Sequence, residues 1–286
     1  MSAFRFDQVT VIGAGTMGRG IAQVSAATGS QVQLVDIDAS AADKAKGSIA
    51  ASLERAVGKG KVSEEDAQRT LAAITPTGDV AAAVAGCDVL VEAVLEDMAL
   101  KKKLFADFAK NAPSHALLGT NTSSLPITEI GRGTGAEDRV IGLHFFNPVP
   151  VMKLVEVVRG QDNSDEAVEA SLEFARRLGK DPILVKDMPG FATSRLGVLL
   201  GLEAMRMVEQ GVASAGDIDK AMELGYRHPM GPLKLTDLVG LDVRLAIAEH
   251  LHKELASEAF APPQLLRDMV ASGKLGKKSG EGFYSY

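Results

Sequence analysis

The sequence predicts an α/β fold: a Rossmann-type, mostly parallel sheet with a helical-hairpin insertion, followed by an all-helical C-terminal domain. Three observations predict it. Short β-branched apolar segments alternate with helix-like ones through the first two thirds of the 286 residues, as expected for strands covered on both faces. A glycine-rich run, Gly13-Ala14-Gly15-Thr16-Met17-Gly18, separates the first such segment from the first helix. Beyond Met188-Pro189-Gly190 no convincing strand follows, and apolar helices take over.

In order, Val9–Ile12 reads as the first strand, Ile21–Thr28 as helix and Gln31–Val35 as the second strand. Further buried-strand candidates are Val89–Val91, Ala116–Leu118, Val140–Leu143, Leu154–Val158 and Asp181–Val185. Phe191–Gln210, Ser214–Leu224 and Leu241–Ala256 read as helices separated by Gly- and Pro-bearing turns. The domains expected are therefore 1–188, a dinucleotide-binding domain, and 189–286, a helical one. Between the second strand and Val89 the chain spends residues 40–73 on what reads as two helices, with Ser40 and Ser63 placed as N-caps and Asp43 and Asp66 three residues on. Arg55, Lys59 and Lys61 gather near the bend. Two readings stand for this hairpin: a solvated pair of helices, or a basic arm for an anionic ligand.

The composition excludes other classes. With 31 Lys and Arg against 37 Asp and Glu, the net charge of −6 argues against a nucleic-acid binder that relies on bulk charge. A single cysteine, Cys87, cannot form an internal disulfide. No apolar run approaches the ~18 residues that a membrane helix needs, and no signal segment is visible at the start. The expectation is a soluble protein of a reducing cytoplasm, with no nucleic-acid or membrane partner and no metal.

The glycine run carries the cofactor reading. Its glycines allow a tight turn, close approach of a pyrophosphate and close packing of helix on strand, while the helix N-terminus offers N–H groups to phosphate. Asp36 follows the second strand, eighteen residues beyond Gly18, near the ~20 of the dinucleotide fingerprint. A carboxylate there accepts ribose hydroxyls of NAD and repels the 2′-phosphate of NADP. FAD is disfavoured because no second FAD-specific segment is seen.

Hydride-transfer chemistry needs a group to take the hydroxyl proton. Five histidines compete. His250 and His252 are two apart on a helix and point to different faces; His115 and His228 lie in loops or turns. His144 differs, because it follows the apolar strand Val140–Leu143 at the end where ligands of open α/β sheets bind. Glu156, twelve residues on and flanked by Val155 and Val157, needs a charged partner in so apolar a run. It either holds the imidazole of His144 or pairs with an Arg, leaving His144 unconnected. The small polar run Thr120-Asn121-Thr122-Ser123-Ser124 reads equally as ligand-binding groups or as a Ser/Thr turn.

Together these stretches resemble the L-3-hydroxyacyl-CoA dehydrogenase family, and within it the short-chain 3-hydroxybutyryl-CoA dehydrogenases. The resemblance spans Val11–Gly18, Val91-Glu92-Ala93-Val94, Asn121–Leu125, His144-Phe145-Phe146-Asn147-Pro148-Val149-Pro150, Met152–Glu156, Pro229-Met230-Gly231-Pro232 and Gly276–Tyr284. It implies NAD-dependent, reversible oxidation of an (S)-3-hydroxyacyl-CoA to the 3-oxoacyl-CoA. Carried over by position, His144 is the catalytic base, Glu156 its partner, and Ser123 a contact to substrate and cofactor. Gly13, Ala14, Gly15, Thr16, Met17, Gly18, Asp36, Glu96, Lys101, Asn147 and Lys278 fall at cofactor positions. Ser52 and Lys59 fall where the family's arm meets coenzyme A, which favours the basic-arm reading. The resemblance also implies a homodimer through the C-terminal helices.

One position departs from the family pattern. The segment Pro189-Gly190-Phe191-Ala192-Thr193-Ser194-Arg195 carries Ser194 where the family has Asn. The shorter hydroxyl either keeps a water-mediated contact or alters acyl preference; losing one such hydrogen bond costs roughly 1–3 kcal/mol, about 10–100-fold in rate, which slows an enzyme without abolishing it. The rival readings are a dehydrogenase of a free hydroxy or sugar acid and a weakly active NAD-binding homologue.

Overall fold

The structure, a computed structural model, describes residues 5–286. They divide into two compact units, the first ending at Met188 and the second comprising Pro189–Tyr286. The first is built on eight strands: β1 Gln8–Ile12, β2 Gln31–Val35, β3 Ile74–Thr77, β4 Val89–Glu92, β5 Leu117–Thr120, β6 Val140–Phe145, β7 Leu154–Arg159 and β8 Asp181–Lys186. Their spatial order is β3-β2-β1-β4-β5-β6-β7-β8, so the chain starts inside the sheet and reverses direction beside β1. That reversal creates the crevice at the carboxyl ends of β1 and β4 in which doubly wound sheets hold their ligands. All pairs are parallel except β6–β7.

The helices α1 Thr16–Ala27, α2 Ala39–Gly58, α3 Glu64–Ala72, α4 Val80–Ala85, α5 Met98–Asn111, α6 Ile127–Gly131 and α7 Asp165–Arg177 cover this sheet. Alternating strand residues serve opposite faces. Val89, Val91 and Leu117 join a core with Ile21, Leu34 and Phe174, while Leu90 and Leu118 join another with Phe105 and Phe108. Burial on both faces explains why the strands read as continuous apolar runs.

The second unit contains α8 Thr193–Glu209, α9 Ala215–Lys220, α10 Pro232–Val239, α11 Leu241–Leu255 and α12 Gln264–Ala271 around a core of Val198, Leu202, Leu233, Leu241, Leu251 and Leu266. No helix among the described residues is long and apolar enough to cross a membrane.

Four points of local structure differ from expectation. The N-cap of α2 is Asp38, which accepts from Ser40 N at 2.9 Å, and not Ser40; two residues earlier, the carboxylate makes the stronger acceptor. Ser63 does cap α3, accepting from Asp66 N at 3.0 Å. The strand β3 was not expected, since Ile74-Thr75-Pro76-Thr77 carries a proline, but it pairs only with β2 at the sheet edge, where proline is tolerated. The helix expected from Phe191 begins instead at Thr193, because Phe191 has φ +48°, and the helix expected over 214–224 closes into a π-helical turn, Ala221–Gly225.

Candidate active site

At the carboxyl end of β1 the chain turns through Gly13 at φ +102°, a conformation that favours glycine. A Cβ on Gly13 would lie 2.6 Å from the Ala93 carbonyl oxygen, and one on Gly18 would lie 1.8 Å from that of Gly13. A Cβ on Gly15 would meet nothing within 4 Å. Gly13 and Gly18 thus serve the fold, whereas Gly15 keeps open the space above the N-terminus of α1, where no side chain caps the backbone N–H groups. Asp36, after β2, accepts from Ala14 N at 2.9 Å through Oδ2 and ties the glycine turn to the second strand. Beside it lies a cavity of about 450 Å³ lined by Gly13, Gly15, Asp36, Ile37, Val94 and Leu95, among others, mostly apolar apart from the carboxylate.

A second cluster joins the ends of β4 and β5. The carboxylate of Glu96 accepts from Thr122 Oγ1 at 2.6 Å, Ser123 N at 2.9 Å, Ser123 Oγ at 3.2 Å and Ser124 N at 3.3 Å. Burial pushes its ionisation upward, but the hydrogen bonds from Thr122 and Ser123 and the positive charge of Lys101 outweigh burial, and its pKa is lowered overall. Lys101 is enclosed, at 1% exposure, with Nζ 2.6 Å from Glu92 and 3.5 Å from Glu96. Glu92, fully buried at the end of β4, also accepts from Thr120 Oγ1 and Val94 N, both at 2.7 Å. Lys101 therefore bears on the polar loop through Glu96, from inside the protein. Of the two readings of the small polar run, the structure shows the hydrogen-bonded turn, in which Thr122, Ser123 and Ser124 gather on Glu96.

The third cluster is the pair at the end of β6. In the antiparallel pairing His144 stands directly opposite Glu156, and Nδ1 lies 2.7 Å from Glu156 Oε2. His144 is 7% exposed and Glu156 is not exposed at all. Against a carboxylate acceptor Nδ1 carries the proton, which fixes the tautomer. The ring of Phe146 packs on the imidazole with centroids 4.5 Å apart. Asn121, after β5, accepts from Phe145 N at 2.9 Å and so holds the strand end carrying His144 against the polar loop. The contact with Glu156 shows that His144 is not left unconnected.

Asn147 follows this strand and lines a further cavity, about 390 Å³, together with Thr16, Arg19, Gln23, Ser52 and Arg55. The arm 40–73 is a hairpin of α2 and α3, and it presents Ser52 and Arg55 to that cavity. Lys59, the C-cap residue of α2, is exposed and does not line it.

The remaining two expected residues belong to the helical unit. Ser194 is half-buried in the first turn of α8. Lys278 holds both oxygens of Asp242, at 2.5 and 2.6 Å, and this bond above all lowers the Asp242 pKa.

Two family models match the chain from residue 8 to residue 286, apart from residue 189. Residues 8–188 match the NAD binding domain of 3-hydroxyacyl-CoA dehydrogenase, and residues 190–286 match its C-terminal domain. The chain belongs to the 3-hydroxyacyl-CoA dehydrogenase family. It is 46% identical to the mitochondrial hydroxyacyl-coenzyme A dehydrogenase of Mus musculus, over 97% of this chain and 90% of that one. A probable 3-hydroxybutyryl-CoA dehydrogenase of Deinococcus radiodurans is also 46% identical, with 96% and 99% covered. The solved (S)-3-hydroxybutyryl-CoA dehydrogenase of Ralstonia eutropha superposes with a TM-score of 0.94 at 41% identity, covering 98% of this chain and 99% of that one.

For a 3-hydroxyacyl-CoA dehydrogenase the first unit is the NAD-binding domain, and its geometry fits the dinucleotide. The space that a Gly15 Cβ would enter suits a pyrophosphate, Asp36 borders the cavity as a hydroxyl acceptor, and the apolar wall suits an adenine. Sequence reasoning missed Asn121, Arg19 and the part played by Glu92. Asn121 sat in a run read only as a group. The Glu92 side chain was masked by the apolar strand around it, although an acid buried in that strand was the signal to look for a cation.

Proposed function

We propose that this member of the family catalyses the reversible NAD-dependent oxidation of (S)-3-hydroxybutyryl-CoA, or a similar short-chain 3-hydroxyacyl-CoA, to the 3-oxoacyl-CoA. The observation that carries the reading is the 2.7 Å contact between His144 and Glu156 at the end of a strand in the unit that bears the dinucleotide loop. In this reading Gly13 to Gly18 seat the pyrophosphate of NAD and Asp36 its adenosine ribose, with Glu96, Lys101, Ser123, Asn147 and Lys278 serving the cofactor directly or through a neighbour. When bound, NAD supplies the hydride acceptor.

As the bond from C3 to hydrogen breaks, Nε2 of His144, the nitrogen turned away from Glu156, takes the 3-hydroxyl proton. Glu156 holds the ring by Nδ1–H and stabilises the imidazolium that results, which lowers the barrier to proton removal. Ser123, held by Glu96 through its backbone N–H and its hydroxyl, positions the reacting oxygen. Ser194 serves the acyl side in place of the family's amide. Ser52 meets coenzyme A on the arm, and Arg55, which lines the adjoining cavity, is better placed there than exposed Lys59.

The exposed apolar side chains Leu196, Leu200, Leu238, Val239 and Val243 of the helical unit support a homodimer, and light scattering on the purified protein tests it. The protein is read as cytoplasmic. The test of function is steady-state oxidation of NADH with acetoacetyl-CoA against free acetoacetate. Turnover confined to the thioester and lost in His144→Ala supports the proposal. Preference for the free acid would assign a hydroxy-acid dehydrogenase instead, and no turnover with either would leave an NAD-binding homologue.

A further inference from the structure

Glu92 closes β4 with its side chain wholly enclosed, and three donors converge on it. Oε1 accepts from Val94 N at 2.7 Å and from Lys101 Nζ at 2.6 Å, while Oε2 accepts from Thr120 Oγ1 at 2.7 Å. Thr120 is its register partner on β5 and is also fully buried. A buried ion pair adds little to stability, because lost hydration offsets the attraction, and apolar side chains of similar size fill such a space as well or better. Lys101 moreover lies near the N-terminal end of α5, where the helix dipole disfavours a cation. Packing alone therefore gives no reason for this pair.

What the pair supplies, and apolar side chains would not, is a set of directed contacts on the loop after β5. Lys101 Nζ stands 3.5 Å from Glu96 Oε2, so the ammonium held by Glu92 faces the carboxylate on which Thr122, Ser123 and Ser124 gather. Thr120 Oγ1, having given its hydrogen to Glu92, accepts from Thr122 N at 3.3 Å. Two routes thus run from the Glu92 carboxylate to the backbone around Ser123, one through Lys101 and Glu96 and one through Thr120 and Thr122. The Glu92 main chain belongs to the same frame. Its carbonyl accepts from Asn121 N at 2.8 Å, and Asn121 holds Phe145 N beside His144. All of these groups lie in the first unit.

We infer that Glu92 is a positioning residue for the reaction, setting the place of Ser123 through Lys101 and Glu96 on one side and Thr120 on the other. The inference rests on the function proposed above and extends that site to a carboxylate enclosed by protein. Because Glu92 reaches Ser123 only through neighbours, its loss acts on the alignment of the reacting groups and so on kcat, where a displacement of about 1 Å costs about 100-fold. The seat of the cofactor at the glycine turn keeps its own contacts, so KM for NADH changes little.

The test separates folding from turnover with the double variant Glu92→Gln, Lys101→Met, which removes both charges of the pair and keeps the volume. It is expected to unfold in urea closer to the wild type than either single variant does, since no unmatched charge is left behind. Its kcat with acetoacetyl-CoA should nevertheless lie about 10- to 100-fold below that of the wild type, with KM for NADH within about threefold. Recovery of kcat along with stability overturns the inference and makes Glu92 a purely structural residue. In a Ser123→Ala background the same double change should slow turnover little further, because the group it positions is already gone; a full additional loss overturns the inference too. Should the double variant fail to fold, Thr120→Val removes a hydroxyl and no charge and reads the second route alone. There kcat is expected to fall about threefold to tenfold, the scale of one hydrogen bond, and wild-type kcat overturns the inference. A wild-type protein that reduces no thioester, acetoacetyl-CoA included, overturns the functional reading itself, whereas an active wild type with equally active variants removes only the role of Glu92.

Discussion

Glu156 and His144 are register partners on neighbouring strands, so the backbone ladder of β6 and β7 sets their 2.7 Å contact before any ligand arrives. Residues directly opposite in an antiparallel pair hold their Cβ atoms about 5 Å apart, close enough for a short acid and an imidazole to meet without a mobile loop. Replacing Glu156 with Gln keeps the volume but removes the charge that stabilises imidazolium. Turnover of acetoacetyl-CoA is expected to fall by about 10²–10⁴, with a much smaller change in KM. His144→Ala should fall at least as far, and the double variant no further, because the two act as a unit. Additive losses in the three variants would separate the residues functionally.

The glycines of the dinucleotide loop divide into two kinds, and alanine substitution distinguishes them. Gly18→Ala drives a Cβ to 1.8 Å from the Gly13 carbonyl oxygen and should lower the melting temperature by several degrees or prevent folding. Gly15→Ala meets no protein atom within 4 Å and should melt like the wild type, yet bind NADH at least tenfold more weakly in a fluorescence titration. Normal NADH affinity in Gly15→Ala would show that the open space is not the phosphate seat.

Lys101 and Glu92 make a buried ion pair, at 1% and 0% side-chain exposure. Removing one partner leaves an uncompensated charge in the core, so Lys101→Met should cost about 3–5 kcal/mol in urea unfolding. The double variant Glu92→Gln, Lys101→Met should recover part of that loss, because the charge goes with its partner. A double variant as unstable as the sum of the two single ones would mean that the pair does not couple.

The lowered pKa of Glu96 sets a pH dependence. A carboxylate whose folded pKa lies below its unfolded value stabilises the fold above the ordinary value of 4.5, and the contribution is lost as pH falls through the lowered folded value. Glu96→Gln should therefore be less stable than the wild type at neutral pH, by about 1 kcal/mol given that 37% exposure screens the site. Denaturant melts at successively lower pH check this, since the gap should close in the acid range. A gap independent of pH would mean that the hydrogen bonds survive protonation.

The parts of the molecule legible from sequence were those written in local pattern. The glycine run, Asp36 and the apolar strands each declare themselves within a few residues. His144 and Glu156 stood out as polar groups in apolar strands, although only the register joins them. What was hidden depends on meetings between distant segments: Lys101 on α5 with Glu92 on β4, Asn121 with the backbone of Phe145, Arg55 with Asn147 around one cavity. The cap of α2 lies two residues before the expected one because Asp38 and Ser40 both suit the role and only geometry decides between them.

The enclosure of Lys101 has a chemical consequence for a protein that handles acyl thioesters. Such compounds slowly transfer their acyl groups to accessible amines, and exposed Lys103 stands beside Lys101 on the same helix to receive them. The ammonium of Lys101, shut in and held by Glu92, is beyond their reach. The group that steadies Glu96 is thereby protected from being neutralised by the very molecules the enzyme consumes.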